Sequence, residues 1–254
     1  QLWQNGESVG IFQFESQGMT NFMKELKPDC LEDIIAGVSL YRPGPMDQIP
    51  RYIANKKDPE HAVYTHPALK PILQVTYGCM VYQEQVMQIV RDLAGYSLGR
   101  ADLVRRAMGK KKLDVMAKER EIFIHGQVDE NGNVVVPGCV RNGIDEQSAN
   151  KIFDEMAEFA KYAFNKSHAA AYAVVSYQTA YLKAYYPAEF MAAMLNSFLG
   201  NLDKIPGYIE ECKRLGIEIL KPDINKSQTK FTVDKNQIRF GLRKYKKCRN
   251  HGSG

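Results

Sequence analysis

The amino-acid sequence predicts a mainly α-helical fold with two small β-hairpins, one near residues 127–137 and one near residues 229–242. The helical prediction rests first on Gln83 to Ala94, where apolar residues recur at positions i, i+3, i+4 and i+7 and a glycine follows. It rests second on the run of good helix formers between Ser167 and Pro187, bounded by a capping residue and a proline. An Asn-Gly pair indicates the first hairpin, and alternating apolar residues indicate the second.

The helix predicted from Ser167 to Pro187 would be the longest one. Its apolar residues lie almost all the way round the helix axis, and a helix with that pattern is buried on most sides. The residues concerned are Ala169 to Ala171, Val174, Val175, Ala180 and Leu182.

The remaining helices are predicted from shorter apolar stripes bounded by capping residues, glycine or proline. The first carries Met19, Phe22, Met23 and Leu26 on one face, and the others run over residues 31–40, 97–108, 114–125, 145–160, 187–200 and 205–215.

The composition is that of a soluble globular protein: 254 residues, 44% hydrophobic and 25% charged. No apolar run reaches the roughly 18 residues of a membrane span, and the polar start is unlike a signal peptide. We therefore expect a cytoplasmic protein without a membrane partner. Five cysteines without CxxC spacing argue against a zinc site and favour free thiols. Because the first residue is not Met, we expect a fragment of a longer protein.

Basic residues are concentrated in the segment GRADLVRRAMGKKK, residues 99–112. Six cations stand there against one acid, Asp102, although the net charge of the whole chain is only +5. Guanidinium groups bind phosphate bidentately and ammonium groups add point charge, so the segment is a candidate clamp for a polyphosphate or a DNA backbone. The alternative is a solvated helix end followed by a charged loop. The cations are Arg100, Arg105, Arg106, Lys110, Lys111 and Lys112.

A second candidate segment, KYAFNKSH, lies just before the long helix. Asn165, Lys166 and Ser167 place hydrogen-bond donors at a helix N-terminus, where anions are favoured. The rings nearby, those of Tyr162, Phe164 and His168, could receive a nucleobase. The alternative is that the aromatic residues belong to the core and that the lysine is a solvated cap.

Two further features are a proline-rich corner and a pair of histidines. The corner YRPGPM, residues 41–46, is rigid because two prolines flank a glycine, and it would project Arg42 from fixed backbone; an ordinary helix-ending turn is the alternative. His61 and His66 lack a third ligand of suitable spacing, so no metal site is predicted.

The sequence contains none of the catalytic motifs GxSxG, HExxH, GxxxxGK[ST] or GxGxxG, and no DxD-type carboxylate pair that could hold two magnesium ions. The residues by themselves therefore indicate a mainly helical module that contacts phosphate or nucleic acid and has no self-sufficient active site.

Six motifs, in order, resemble one family: IFQFESQGM, YRPGPM, YGCMVYQEQVMQI, RRAMGKKK, FNKSHAAAYAVVSYQTAYLKAYYPAEFMAA and LKPDIN. Together they are similar to the fingers domain of the bacterial DNA polymerase III alpha subunit, a C-family replicative polymerase. The corner YRPGP resembles the DnaE type rather than the PolC type. The resemblance runs from the first residues to about Leu242.

The resemblance implies an activity that this segment would serve without performing it alone. The family adds deoxynucleotides to a primer 3′ end by two-metal phosphoryl transfer. Its Mg²⁺ ions are held by three aspartates of the palm domain, which precedes the fingers, so this chain alone is expected to be inactive. The implied partners are primer–template DNA and dNTP and, in the full-length enzyme, the palm and thumb domains, the sliding clamp and other replisome subunits.

The resemblance also implies roles for individual residues. Arg105 and Arg106 match the family's arginines near the triphosphate, and Tyr162 and His168 match residues that pack against the nascent base pair. The full set of expected nucleotide-binding residues is Arg105, Arg106, Lys110, Lys111, Tyr162, Asn165, Lys166 and His168, and the expected DNA-binding residues are Arg42, Arg100 and Lys112.

We divide the chain into residues 1–46, the start of the fingers, 47–200, the helical core, and 201–242, the distal part. Residues 243–254, RKYKKCRNHGSG, are basic without apolar periodicity, whereas the family continues with a hydrophobic-Lys-Asn-Val-Gly pattern, and we interpret them as a non-native tail. Two other hypotheses remain: a stand-alone helical nucleic-acid-binding module, and a helical scaffold whose cations are merely solvated.

Overall fold

The computed structural model describes residues 1–110, 113–201 and 203–242, and it confirms a mainly α-helical fold. Within these residues, the α-helices are α1 (Leu2–Asn5), α2 (Gln17–Leu26), α3 (Leu31–Leu40), α4 (Ile49–Lys57), α5 (Lys70–Leu73), α6 (Gln83–Ala94), α7 (Leu98–Gly109), α8 (Leu113–His125), α9 (Glu146–Phe159), α10 (Lys166–Tyr185), α11 (Pro187–Ser197) and α12 (Ile205–Arg214). The strands are β1 (Gln127–Val128), β2 (Val134–Val136), β3 (Ile219–Leu220), β4 (Thr232–Asp234) and β5 (Gln237–Arg239).

Both predicted hairpins are present. Strands β1 and β2 pair in antiparallel orientation. Strands β4 and β5 do the same across Lys235 and Asn236, which both have positive φ, as hairpin turns of this length require. Strand β5 also pairs with β3 in parallel orientation, which makes a three-stranded sheet in the order β3-β5-β4.

The chain forms two compact units, which we describe separately. One comprises Pro28–Ala173, and the other comprises Gln1–Lys27 together with the described residues from Val174 onward. These limits differ from the divisions at residues 46 and 200 drawn from the sequence, because a compact unit can gather distant parts of a chain. The functional meaning of those divisions stays a prediction, and the proposed tail, residues 243–254, lies outside the described residues.

The unit Pro28–Ala173 is built on helices α6 to α9. The predicted apolar stripe of α6 is buried in full, at Val86, Ile89, Val90 and Leu93. Together with side chains of α7 to α9 it forms one hydrophobic core. For α6 the periodicity of the sequence predicted the packing correctly.

The other unit has its own core, formed by α11, α12 and the three-stranded sheet. Met191 and Leu195 of α11 pack there with Cys212 of α12, with Ile238 of β5 and with Phe231, which directly precedes β4. None of the helices in the described ranges is long and apolar enough to cross a membrane.

The long helix α10 differs from the prediction in two respects. It begins at Lys166, and its cap is Asn165, whose Oδ1 accepts from the backbone N–H of His168 at 2.8 Å; the prediction of Ser167 as the cap is wrong. The prediction that α10 is buried on most sides is also wrong. The buried positions form a single face, Ala169, Ala173, Ser176, Ala180 and Lys183, while Val174, Val175, Tyr177, Tyr181, Leu182 and Tyr185 are exposed.

Candidate functional site

Three of the singled-out segments meet within the unit Pro28–Ala173. The corner at residues 41–46 packs against the aromatic segment. Gly44 lies so close to the Tyr162 ring that a Cβ placed on it would fall 2.3 Å from Cδ1. Arg42 lies over the ring of Phe164, with 4.3 Å between its Cζ and the ring centroid. The end of α7 lies next to the residue that directly precedes this segment, since a Cβ on Gly109 would lie 3.3 Å from the Ala160 carbonyl oxygen. The fold thus brings together segments about 60 and 120 residues apart in the sequence.

The basic end of α7 follows from a well-capped helix. The Ser97 hydroxyl accepts from the N–H of Arg100 at the start of α7, and Arg105 and Arg106 follow near its end. Both guanidinium groups bond Asp102: the distance is 2.5 Å for Arg105 and 2.7 Å for Arg106. The hydrogen bond from Arg105, with a further one from Arg106, lowers the pKa of the Asp102 carboxyl.

Arg105 retains an unused donor. Its Nε is buried and makes no hydrogen bond to any of the described residues. A buried guanidinium N–H without an acceptor is costly unless water or a ligand supplies one. This donor therefore marks the end of α7 as a place where an oxygen ligand would be stabilised.

The other cations of the basic segment are placed differently. Lys110 is exposed directly after α7. Arg100 is turned away from the arginine pair: it bonds Gln127 at 2.6 Å and Glu119 at 3.2 Å and lies over the Tyr96 ring. Lys111 and Lys112 lie outside the described residues.

The aromatic residues form a short row along the start of α10. The ring centroids of Phe164 and His168 are 5.5 Å apart and those of His168 and Tyr172 are 4.2 Å apart. Tyr162 is 47% exposed, so part of its ring is accessible to a planar partner. Phe164 is fixed by its backbone, whose carbonyl accepts from the N–H of Gln83 at 2.9 Å.

The N-terminus of α10 already holds an anion. The Glu84 carboxylate accepts from the backbone N–H of Lys166 at 3.1 Å and from Asn165 Nδ2 at 3.0 Å. The side chain of Lys166 pairs with Glu32 at 3.0 Å and lies over the Tyr82 ring, 5.2 Å from its centroid. These contacts indicate that Asn165 and Lys166 hold the aromatic segment in place.

Sequence reasoning did not identify Glu84 and Glu32 as members of this site. Each lies in the first turn of its own helix, where an acid is ordinary. Glu84 is 82 residues from Lys166, and Glu32 is 134 residues from it. No local pattern reports contacts over such separations.

A cleft of about 410 Å³ opens beside Tyr162. Its acidic lining residues, Asp47, Glu155 and Glu158, outnumber its one cation, Arg51, and Arg51 is engaged with the carbonyl oxygens of Val63 and Gly78. An excess of carboxylates repels phosphate, whereas a ring with amino groups could donate to them. Glu158 is itself paired with Lys161, but Asp47 and Glu155 still give the lining an acidic character, which disfavours a phosphate more than a base.

The described residues contain one group of three side chains with metal-binding atoms, Asp29, Cys30 and Asp33, whose ligand atoms lie within 4.8 Å of one another. The Lys56 ammonium already bonds both carboxylates, at 3.1 Å for Asp29 and 2.7 Å for Asp33. Burial raises the pKa of the Cys30 thiol, and a thiol is a poor ligand for Mg²⁺. The group does not fit the Mg²⁺ ions of nucleotidyl transfer.

Substituting Gly44→Ala tests the contact between the corner and Tyr162. Gly44 has φ +99° and the new Cβ would meet the Tyr162 ring at 2.3 Å, so we expect a loss of about 2 kcal/mol in the free energy of unfolding. Urea denaturation measures this loss.

Gly99→Ala is the matched control: its Cβ meets nothing within 4 Å, and because the position lies inside α7 the alanine should stabilise the helix slightly. Equal effects of the two substitutions would contradict the packing described.

The finger-domain model and the relatives that match this chain come from the bacterial DNA polymerase III alpha subunit. The family model described as the bacterial DNA polymerase III alpha subunit finger domain matches residues 1–131, and a helix-hairpin-helix motif matches residues 216–252. The DNA polymerase III subunit alpha of Thermus aquaticus is 51% identical over 247 residues, which cover 95% of this chain and 19% of that protein. That of Borreliella burgdorferi is 49% identical over 237 residues, covering 93% of this chain and 20% of that protein. The chain thus spans about a fifth of the length of the curated relatives it matches.

Proposed function

The chain belongs to the finger-domain family of the bacterial DNA polymerase III alpha subunit, and we propose that it binds the incoming dNTP and the adjacent primer–template DNA in such a subunit. The observation that carries this proposal is the meeting of a paired-arginine helix end with an exposed aromatic segment in one compact unit. Paired guanidinium groups bind phosphates, and exposed aromatic rings stack on bases.

The triphosphate is assigned to the end of α7. Arg105 and Arg106 supply guanidinium forks, and the unused Nε of Arg105 is a further donor. Lys110 adds point charge directly after α7, and Lys111, the next residue in the sequence, is assigned to the same role. Lys112, Arg42 and Arg100 are assigned to the DNA backbone, and Arg100 also bonds Glu119 and Gln127.

The nascent base pair is assigned to Tyr162 and His168, whose rings lie on the exposed side of the aromatic segment. Base–aromatic stacking contributes roughly 1–3 kcal/mol per base. The acidic lining of the neighbouring cleft keeps phosphates away from this side. Asn165 and Lys166 support the segment through Glu84 and Glu32.

The catalytic metals are assigned to parts of the polymerase other than this chain. Mg²⁺ would stabilise the attacking and leaving oxygens of phosphoryl transfer, and the acidic cluster around Lys56 does not fit it. We therefore expect the chain alone to extend no primer, with or without Mg²⁺. In the full-length subunit its partners would be the palm and thumb domains, the sliding clamp and other replisome subunits, in the cytoplasm.

The helix-hairpin-helix match over residues 216–252 supports a second DNA contact in the C-terminal part of the chain. The described portion of that stretch, up to Leu242, contains the sheet β3-β5-β4. A DNA contact there would be independent of the arginine pair, and its loss would leave nucleotide binding unchanged.

Binding of the chain to a primed DNA template across a salt series tests the proposal. We expect weak, sequence-independent binding whose logarithm falls steeply with the logarithm of the salt concentration, by about 0.9 for each phosphate contact. Neutralising the basic segment should lower the affinity and make this slope shallower. The site variant replaces Arg105, Arg106, Lys110, Lys111 and Lys112 with alanine.

The matched control removes the same charge elsewhere in the same compact unit. It replaces the surface cations Lys70, Arg91, Lys118, Arg141 and Lys151 with alanine. If the phosphate contacts are where we propose, the control keeps most of the salt slope. Equal losses in the two variants would show that net charge alone binds the DNA, and they would contradict the assignment.

A further inference from the structure

One carboxylate holds both arginines of the proposed triphosphate site. Oδ1 of Asp102 lies 2.5 Å from Nη2 of Arg105, and Oδ2 lies 2.7 Å from Nη2 of Arg106. Each oxygen of the carboxylate thus takes a different guanidinium group. The Asp102 side chain is 27% exposed and that of Arg105 is 23% exposed, so these groups are partly shielded from water.

The position of Asp102 in α7 accounts for this geometry. It precedes the two arginines by three and four residues, the spacings that bring helical side chains together. It is also the only acidic residue in the sequence 99–112, which contains six cations. The carboxylate gathers the two forks on one side of the helix and reduces their combined charge from two to one.

The carboxylate contacts the same terminal nitrogens that a phosphate would use. A phosphate oxygen and a carboxylate oxygen are both strong acceptors for guanidinium, so they compete for Nη2 of each arginine. The Nε of Arg105, which has no acceptor among the described residues, is the donor that remains for an incoming oxygen while the carboxylate is still bound. Exchange of the carboxylate for phosphate can begin there.

We propose that Asp102 is an internal competitor for phosphate, which holds Arg105 and Arg106 together in the unliganded protein and is displaced when a polyphosphate binds. This inference rests on the proposed function of the arginine pair. It assigns Asp102 a positioning role that weakens binding of the ligand. The competitor would limit the retention of polyphosphate at the site, including a released diphosphate product.

The test measures binding of inorganic tripolyphosphate to the full 254-residue chain by titration calorimetry, in the absence of divalent metal. Asp102→Asn removes the charge and keeps the size, and we expect it to bind tripolyphosphate about three- to ten-fold more tightly. Two ion pairs then no longer compete with the ligand: the partly shielded one with Arg105 and the more exposed one with Arg106. Asp102→Glu, which can still span both arginines, should restore wild-type affinity.

The matched control is Asp92→Asn. Asp92 pairs with Arg91 on α6 at 2.6 Å, so this substitution also removes one acid paired with an arginine. We expect it to leave tripolyphosphate affinity unchanged. Thermal unfolding of each variant shows whether the helix is intact, and the Glu variant separates lost charge from lost structure.

The outcomes separate the two proposals. Equal or weaker binding by Asp102→Asn, relative to the wild type, would overturn the role of Asp102, as would a tightening of the same size in Asp92→Asn. The arginine-pair variant, Arg105→Ala with Arg106→Ala, decides the proposed function: if it binds tripolyphosphate as well as the wild type, the arginine pair is not the phosphate site. Tighter binding by Asp102→Asn that the arginine substitutions abolish would support both.

Discussion

Replacing Arg105 and Arg106 together with alanine, in a full-length polymerase III alpha subunit that carries this segment, is expected to slow nucleotide incorporation by roughly 10²- to 10⁴-fold. Charge builds up on the transferring phosphoryl group and the leaving diphosphate. Fixed guanidinium groups stabilise that charge without having to reorganise. Asp102 already holds both guanidinium groups on one side of α7, so once phosphate has displaced the carboxylate, little side-chain ordering remains to be done.

Single-turnover incorporation over a range of dNTP concentrations measures this effect. It separates nucleotide affinity, which the ground-state contacts set, from the maximal rate, which the transition-state contacts set. If the arginines act mainly on the transition state, the maximal rate falls more than the affinity does. The double lysine variant should recover only part of the rate, because an ammonium group lacks the bidentate fork.

The control for this prediction is Arg91→Ala combined with Arg141→Ala. It removes two cations from the surface of the same compact unit and leaves α7 intact. We expect incorporation within a factor of about two of the wild type, because such surface substitutions cost little. If the Arg105 and Arg106 variant retained wild-type rates, the scaffold hypothesis, in which the cations are merely solvated, would replace the proposed function.

Local patterns predicted those parts of the fold that depend on local contacts. Helix α6 is an example: its stripe of Val86, Ile89, Val90 and Leu93 and the left-handed Gly95 at its end are set within about four turns of chain. The hairpin turn at Asn131-Gly132 is another. The basic end of α7 was likewise predicted from the Ser97 cap and the charges that follow it.

Burial of α10 could not be predicted in this way, because the surroundings of a helix decide which of its faces is covered. Valine and tyrosine are compatible with both a core and a surface, and here Val174, Tyr177 and Tyr181 are exposed. The supports of the aromatic segment were also inaccessible to pattern reasoning. Glu84 and Glu32 contact it only because the chain returns from far away in the sequence.

The covered face of α10 contains a buried charge that periodicity gave no reason to expect. The side chain of Lys183 is fully buried, and its ammonium donates to the carbonyl oxygens of Glu7 and Val9 at 2.8 and 2.7 Å. Its third hydrogen bond goes to Oε1 of Glu211 at 2.6 Å. One lysine thus joins the N-terminal segment, α10 and α12 within a single compact unit.

Replacing Lys183 with methionine is expected to lower the free energy of unfolding by about 3–5 kcal/mol, because it leaves the Glu211 carboxylate without one of its cations and two carbonyl oxygens without donors. Methionine keeps most of the side-chain volume, so the loss reports the charge and the hydrogen bonds rather than a cavity. Urea denaturation at neutral pH measures it. Lys213→Met, at an exposed pair with Glu210 on the same helix α12, should change stability by less than about 0.5 kcal/mol.

The pH dependence provides an independent check on the same pair. Burial opposes ionisation of Glu211, but hydrogen bonds from Arg214 and Lys183 outweigh it and lower the pKa of the carboxyl below its ordinary value of 4.5. A carboxyl with a lowered pKa in the folded state stabilises the fold above its unfolded pKa, and that stabilisation is lost as the pH falls through the folded pKa. The wild type should therefore lose stability below about pH 4.5, and Lys183→Met combined with Glu211→Gln should lose less over the same interval. Identical acid dependence in the two proteins would show that the buried pair makes no net contribution, and the neutral-pH loss would then have to be attributed to the two carbonyl oxygens alone.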